Sequence, residues 1–448
     1  MDEIFSRFVS QAPVAVMARA AMARVFSDSH LDELFGRVAT TQYTRSLTFS
    51  ALFRLMTKVT LRTHESVHAA YRHTSGLPVS LTAVYDKLGG LETGISEALV
   101  HDTAKTMDAI IVALPLRHPD PIPGLRLRTL DGNCLAGSDH RLGCLRGDGA
   151  AALPGMSLVV RDGRTGLLTD MIACEDAYTS ERSLFPRLLA LVRPDDLWLA
   201  DRNFCTDDYM SGIDEEKAYF LIRHHAGSKL ESLGEERWVG SNATGDLFER
   251  QVRIGPLKCR CIVVRLHVPM RDGTTEIRLL TNVPPSKVGA KRLAELYRTR
   301  WEIEAAFQDL TDYLRCEVNT LGYPKAALFA FALAMTAYDL LMVIKAALAS
   351  GQGMPRVDQE LSSYHLGTEL AVYAEGMAVA VPEGAWKTFE EMSIREFAQW
   401  LHGAAQHLDW KRYRKNPRKP KGPTTVRRTS RGAHRSTARV LEQKGQKR

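Results

Sequence analysis

The sequence predicts an α/β protein: a mixed sheet flanked by helices, interrupted by a β-rich insertion, with helical regions toward both ends. Three observations predict it. Apolar residues recur at helical spacing from Leu47 to Val59 and from Val79 to Leu91. After Pro121 the texture changes to short alternating stretches separated by Gly and Asp turns. From Leu293 to Arg315 the helical period returns, with Leu296, Ile303, Phe307, Leu310 and Leu314 in one narrow sector. The 448 residues suffice for several sizeable cores. The divisions expected are a helical N-terminal region at 1–120, a first core segment at 121–225, the β-rich insertion at 226–283, a second core segment at 284–350, a helical region at 351–410 and a basic flexible tail at 411–448.

In the N-terminal region, Ser80 is placed to cap a short helix that ends at a Gly89-Gly90 turn, a pattern that suits a helix-turn-helix. His64-Glu65-Ser66-Val67-His68 matches HExxH, the zinc-protease pattern, which needs both His on one helix face. The surrounding sequence offers no third ligand, so chance is the favoured explanation.

Beyond Pro121, Leu125 to Leu130, Met156 to Arg161 and Gly166 to Glu175 read as strands, the last two forming a hairpin around Asp162-Gly163. Ser180 to Val192 reads as a helix and Leu197 to Ala200 as a buried strand. Strand, strand, strand, helix, strand is the order of a ribonuclease-H-like sheet. In that topology the first and fourth strands are neighbours, so Asp131, in TLDGN, and Asp201, in LWLADRNF, lie side by side at one end of the sheet. A single Asp at a strand end is ordinarily a turn residue. Stretches from Ala218 to Arg223, Phe248 to Ile254, Lys258 to Val268 and Glu276 to Thr281 continue as strands, the later ones as an inserted antiparallel sheet, before helix resumes near Ser286. Cys259 and Cys261, alternating with Arg260, are expected in the core.

Beside the apolar stripe of the Leu293 to Arg315 helix run Tyr297, Arg300, Glu304, Gln308, Thr311 and Arg315. Taken alone, Arg300 and Glu304 at i, i+4 are an ordinary surface ion pair worth a few tenths of a kcal/mol. Packed across the sheet, the same helix brings Glu304 to Asp131 and Asp201. Carboxylates that close repel unless a cation lies between them. A hard, oxygen-only set suits Mg²⁺ or Mn²⁺, and two ions can stabilise the attacking and leaving oxygens of a phosphodiester substitution. Asp131, Asp201 and Glu304 are therefore the candidate catalytic and metal-holding residues.

Charge is unevenly distributed. From Lys411 to Arg448 there are fifteen Lys or Arg and one acid, a net of +14, while the preceding 410 residues carry −7. Such a tail favours a polyanion, nucleic acid first. Seven scattered cysteines without a CxxC pair argue for reduced thiols and a cytoplasmic protein. MDEIFSRFV lacks the regions of a signal peptide. Ala326 to Ala349 is apolar enough to suggest a membrane span, but Asp339 and Lys345 interrupt it, and a buried helix with no membrane contact is expected.

Together these motifs resemble the DDE transposases of the bacterial insertion-sequence-four family, whose ribonuclease-H-like core is interrupted by a β-rich insertion before the last acid. The family's helix signature is Tyr, two residues, Arg, three residues, Glu, six residues, Lys. Tyr297, Arg300 and Glu304 match it within an RWxIE context supplied by Trp301 and Ile303; Thr311 stands where the Lys belongs. DGN at Asp131 is similar to the family's DGT, ADRNF around Asp201 to its ADRGF, and HRSTARVL from His434 to its ending. The resemblance covers roughly 125–338 and the tail.

It implies that Asp131, Asp201 and Glu304 hold the metals and that Tyr297, Arg300 and Trp301 contact DNA. Arg315, one turn beyond Thr311, is expected to replace the missing Lys as a phosphate contact. The implied function is metal-dependent DNA cleavage at insertion-sequence ends and strand transfer into target DNA. The partners would be double-stranded element ends and target, gripped by a homodimer in a synaptic complex associated with the bacterial nucleoid. The alternative is a catalytically inactive, transposase-derived DNA-binding protein, which Thr311 favours and the complete acidic triad disfavours. A metal-dependent nuclease of the same fold without strand transfer is the third reading.

Overall fold

The computed structural model describes residues 3–116, 118–135, 152–270, 272–318, 320–415 and 435–445. Helices α1 (Glu3–Gln11), α2 (Pro13–Val25), α3 (Asp28–Val38), α4 (Phe49–Thr60), α5 (Val67–Arg72), α6 (Leu81–Gly90) and α7 (Thr93–Ala113) open the chain. Ser80 caps α6, its hydroxyl accepting from the Ala83 amide. The helix runs through Gly90, so the predicted Gly-Gly turn is its last turn and the chain bends instead at Leu91. HExxH is not a one-helix motif here. Ser66 caps α5, leaving His64 and Glu65 in the preceding loop, and the His64 ring stacks on His73 at 4.9 Å.

The large sheet contains β1 (Arg126–Cys134), β3 (Met156–Asp162), β4 (Leu168–Cys174), β5 (Asp196–Ala200) and β6 (Tyr219–Arg223), while the two-residue β2 (Ala152–Leu153) lies apart from it. The large sheet continues with β7 (Glu231–Ser232), β8 (Arg237–Ser241), β9 (Gly245–Ile254), β10 (Leu257–Leu266) and β11 (Glu276–Thr281). The order is β4-β3-β1-β5-β6-β11-β10-β9-β7, with β8 on β9. The first three core strands pair antiparallel, while β1, β5 and β6 run parallel. The first and fourth core strands are thus neighbours, as the sequence predicts. The insertion is not a separate sheet: β11 pairs antiparallel with β6 and carries β10 and β9 outward. That covers the backbone of β6, which would otherwise be an open edge.

Alternation along β5 shows how both faces are buried. Leu197 and Leu199 join one core with Leu127, Leu221 and helix α10 (Ala290–Tyr297). Trp198 and Ala200 join the other with Leu130, Phe220 and helices α8 (Phe185–Leu189) and α9 (Asp207–Glu215). A short parallel strand covered on both sides has no polar face, as its continuous apolar run requires. The helix expected from Ser180 to Val192 is shorter: a 3-10 turn at Glu181–Leu184, then α8, with Pro186 in its first turn. Cys259 and Cys261 lie in the core, and burial pushes their thiols up to about 12 and about 11.

After α10 come α11 (Trp301–Asp312) and α12 (Pro324–Gln352). The last is long and apolar enough to cross a membrane, yet almost every residue is packed inside the protein, against α2, α4, α7 and others. One oxygen of its buried acid is met: Asp339 Oδ1 accepts the amide of Leu168, the first residue of β4, at 2.7 Å, while Oδ2 has no hydrogen-bond partner among the described residues. Burial raises the Asp339 pKa well above the ordinary value, against the opposing effects of that hydrogen bond and of Arg161. Raised in the folded state, this group binds a proton that the unfolded chain releases near pH 3.9. Stability contributed by the protonated form is therefore lost as pH rises from there toward the folded pKa, by up to about 1.4 kcal/mol per pH unit. Asp339→Asn, which keeps the acceptor without the titration, is expected to flatten that slope in urea unfolding between pH 5 and 8.

Helices α13 (Met354–Glu360), α14 (Ser363–Ala380), α15 (Glu383–Glu391), α16 (Ile394–Ala405) and α17 (Trp410–Tyr413) follow. Part of the segment read as a flexible tail is docked. Strand β12 (Arg435–Ser436) pairs parallel with β2, and α18 (Thr437–Gln443) seats Val440 and Leu441 against Ala152 and Tyr323. Asp176 accepts from Ser436 Oγ at 2.5 Å and Arg439 Nε at 2.6 Å, which fixes this segment at the end of β4. Residues 416–434, which hold much of the basic run and His434, lie outside the described residues, as do 446–448.

Candidate active site

Strand β1 pairs with β5 from Arg126 opposite Asp196 to Thr129 opposite Leu199. Two residues further in the same register stand Asp131 and Asp201. Asp131 does not close its strand: β1 continues to Cys134 against β3, while β5 stops at Ala200. Asp131 therefore sits where β1 loses its parallel neighbour, and Asp201 turns away as the cap of a 3-10 turn at Arg202–Phe204, accepting the Asn203 amide at 2.8 Å.

The predicted single helix is two. α10 ends at Tyr297, Arg298–Arg300 form a 3-10 turn, and α11 begins at Trp301. Neither Gly nor Pro breaks it. The turn coincides with Arg300 reaching across to the sheet: its guanidinium donates to Asp131 Oδ2 at 3.1 Å and to Glu304 Oε1 at 2.6 Å. Leu296, Ile303, Leu310 and Leu314 are buried as the periodicity predicts.

The three acids are thus brought to one end of the sheet, Asp131 and Glu304 on Arg300 and Asp201 in register beside Asp131, rather than closed onto a common point. Among the described residues no group of three or more His, Cys, Asp or Glu side chains is close enough to hold an ion together. Electrostatics explains the spacing. Burial, reinforced by the Asp201 and Glu304 charges and opposed by Arg300 and the Gly132 amide, pushes Asp131 up to about 6. Burial alone would lower the Arg300 pKa, but Tyr297, Asp131 and Glu304 hold it above its ordinary value. The guanidinium supplies the positive charge that crowded carboxylates need.

The other expected contacts separate. Trp301 is 60% exposed next to Arg300, whose guanidinium carbon is 5.6 Å from its ring centroid. Tyr297 is largely covered; its hydroxyl donates to the Ala200 carbonyl at 3.3 Å, and burial pushes its pKa up to about 12. It braces the strand end that carries Asp201. Arg315 is not on the helix, which ends at Asp312. Its guanidinium donates to the carbonyls of His64 and Glu65 and to the Glu65 carboxylate, while Arg62 donates to the carbonyls of Thr311 and Leu314. This exchange ties the end of α11 to the loop after α4 and stops the helix there, leaving Arg315 committed to the fold. Thr311 bonds back to the Phe307 carbonyl at 3.0 Å.

One acid at this site escaped the sequence reading. Glu181, first in the 3-10 turn after β4, has its pKa raised by burial and then by Asp201 and Asp131, with an Asn203 hydrogen bond acting the other way. Its only trace in the sequence is Gly132, an otherwise unfavourable strand residue, where a Cβ would collide with the Glu181 carboxylate.

A mixed sheet thus carries Asp131 within one strand and Asp201 just past the end of its parallel neighbour, with Glu304 on the helix beside them. Residues 148–340 match the family model of the transposase DDE domain, a region that includes Asp201 and Glu304 and begins after Asp131. The chain is 29% identical over 151 residues to a protein of Sinorhizobium fredii (strain NBRC 101917 / NGR234) named transposase y4zB. That alignment covers 33% of this chain and 42% of the relative, less than half its length. Among solved structures, a piggyBac transposase synaptic complex with hairpin DNA is similar over 86% of both chains at 8% identity, with a TM-score of 0.41, too loose a likeness to bear on function. The family match and the curated relative agree on similarity to transposases and to DNA recombination.

Proposed function

We propose that the chain is a DDE transposase with a ribonuclease-H-like core, cutting DNA at insertion-sequence ends and joining the freed 3′ ends to target DNA. The observation that carries this reading is the gathering of Asp131 and Glu304 on one guanidinium at the point where β1 and β5 bring Asp131 and Asp201 together. The donor set fits divalent metal. It is hard oxygen throughout, and burial together with the Asp201 and Glu304 charges pushes Asp131 up to about 6, so further positive charge beside it would favour its ionised form. Asp131, Asp201 and Glu304 would hold Mg²⁺ or Mn²⁺, in one or two ions, which when bound activates water and neutralises charge building on the phosphate.

The rest of the chemistry belongs to the chain. Asp131 stands within a strand and Asp201 is fixed as the cap of the turn directly after one, so neither needs to be ordered when substrate arrives. Tyr297 holds the end of β5. Arg300 neutralises Asp131 and Glu304 in the resting site, and its fork is suited to a phosphate oxygen once their charge is met otherwise. The exposed face of Trp301 offers a stacking surface for a base or sugar at the same place. Contacts to phosphate give affinity; recognition of particular ends needs base-edge contacts, here assigned to the N-terminal helices and the insertion. The working unit would be a homodimer pairing two ends, in the bacterial cytoplasm.

A second reading, a DNA-binding protein that has lost catalysis, is favoured by Thr311 in the signature position and by the resting pairing of Arg300 with two of the acids. Purified protein incubated with Mg²⁺ or Mn²⁺ and labelled DNA carrying the gene's own flanking sequences separates the readings. Cuts at both boundaries, with cut ends joined to a second duplex, are expected. Cutting without joining would indicate the nuclease, and binding without cutting under either ion would indicate the inactive descendant.

A further inference from the structure

We infer that Arg62, in the turn after α4, holds a backbone phosphate of the end DNA and so extends the active-site face of α11 onto the N-terminal helices. The inference rests on the reading above that Glu304 stands at the reacting phosphate.

The charge pattern points to the partner. Residues 34–85 carry six Lys or Arg, three His and a single acid, Glu65, in a chain whose first 410 residues are net negative. The Glu65 carboxylate is met by Arg315 Nη2 at 2.9 Å, so even that charge is compensated, from the segment that follows α11. Arg37 and Arg54 pair with Asp102 and Asp28, but Arg45, Arg62 and Arg72 are exposed and make no ion pair among the described residues. Exposed cations without carboxylate partners suit a polyanion, whose counterions they replace on binding.

Arg62 is the member of this set that reaches the site. Its backbone is left-handed (φ 61°), a conformation that is costly for a residue with a Cβ and that Gly adopts freely. In this pose its Nη2 donates to the carbonyls of Thr311 and Leu314 at the end of α11, at 2.6 and 3.1 Å. Nε and Nη1 have no partner among the described residues, so the fork is left open to solvent with donors to spare. A helix cap alone needs a donor and no charge.

The path from the acids to Arg62 runs along one stripe of the helix. At 100° per residue Glu304, Gln308 and Thr311 share a sector of α11, and all three are at least partly exposed. Thr311 lies about 10 Å along the axis from Glu304, and Arg62 stands on its carbonyl. A DNA strand that crosses Glu304 and follows this stripe brings a phosphate to Arg62 within about three nucleotides of the reacting one.

The test is DNA binding by the full chain without divalent metal, so that cleavage does not enter. Labelled duplex carrying an element end is titrated at several salt concentrations. Arg62→Gln keeps a donor for the Thr311 carbonyl but no charge. It is expected to weaken binding roughly five- to tenfold near 0.1 M salt and to lower the slope of log affinity against log salt by about one. Arg62→Lys, which keeps the charge, is expected to keep the slope. Replacing the phosphate about three nucleotides from the boundary by a neutral methylphosphonate should weaken binding by the wild type and leave Arg62→Gln unaffected. An unchanged slope in Arg62→Gln, with the loss confined to its melting temperature, makes Arg62 a helix cap only; that result, or an equal methylphosphonate effect in both proteins, overturns the inference and leaves the transposase reading standing. Wild-type protein that binds no element-end duplex overturns both.

Discussion

Glu304→Gln is expected to lower metal-dependent cleavage of end DNA by on the order of 10³-fold while leaving DNA binding nearly unchanged. Gln keeps an oxygen that can accept from Arg300 Nη2, so the geometry around the guanidinium survives. What is lost is one negative charge from the set that would hold the cation. The stability cost is small, since the Glu304 side chain is 35% exposed and its pairing with Arg300 is screened by solvent. Rapid-quench cleavage assays beside gel-shift titrations separate the two effects. Parallel loss of binding and cleavage would instead make Glu304 a DNA contact or a structural anchor.

Arg260→Met is expected to destabilise the fold by about 3–5 kcal/mol, the range for removing one partner of a buried charged network. Arg260 is only 3% exposed, within β10, and its Nε pairs with Glu249 on β9. Its Nη1 donates to the carbonyls of Val283 at 2.7 Å and Val288 at 2.9 Å, in the segment that leads from the sheet into α10. One side chain thus binds the inserted strands to the root of the helix pair carrying Tyr297, Arg300 and Glu304. Methionine fills much of the volume but strands Glu249 and two carbonyls without their donor. Urea unfolding reads the loss; a change under about 1 kcal/mol would mean that the two carbonyls find other donors.

The parts of this fold legible in the sequence are those set by local pattern. Alternation and turn residues mark β1, β3 and β4, a short apolar run marks β5, and the known handedness and order of such sheets then brings Asp131 beside Asp201 without further information. Glu304 follows from helical periodicity. What the sequence does not carry is pairing between distant elements. The insertion reads as its own sheet because nothing local says that Glu276–Thr281 will pair with β6. The break at Arg298–Arg300 has no Gly or Pro to announce it, because it accompanies a contact from Arg300 to a strand 169 residues earlier. Arg315 continues the helical pattern on paper, yet Arg62 and the loop around Glu65 end the helix first. Glu181 lies in a stretch that reads as plain helix. The glycine it demands at 132 is visible, but its reason is not.

Sulfur substitution at the boundary phosphate tests the central claim most directly. A single non-bridging oxygen of the phosphate at an element end is replaced by sulfur, and wild-type cleavage is compared in Mg²⁺ and Mn²⁺. Mg²⁺ prefers oxygen strongly, while Mn²⁺ accepts softer ligands more readily. If Asp131, Asp201 and Glu304 hold a cation against the reacting phosphate, the substituted DNA is cut slowly in Mg²⁺ and Mn²⁺ restores the rate. Cleavage that proceeds in excess chelator, or that is equally fast with sulfur and oxygen in Mg²⁺, would contradict a carboxylate-held metal at the reacting phosphate.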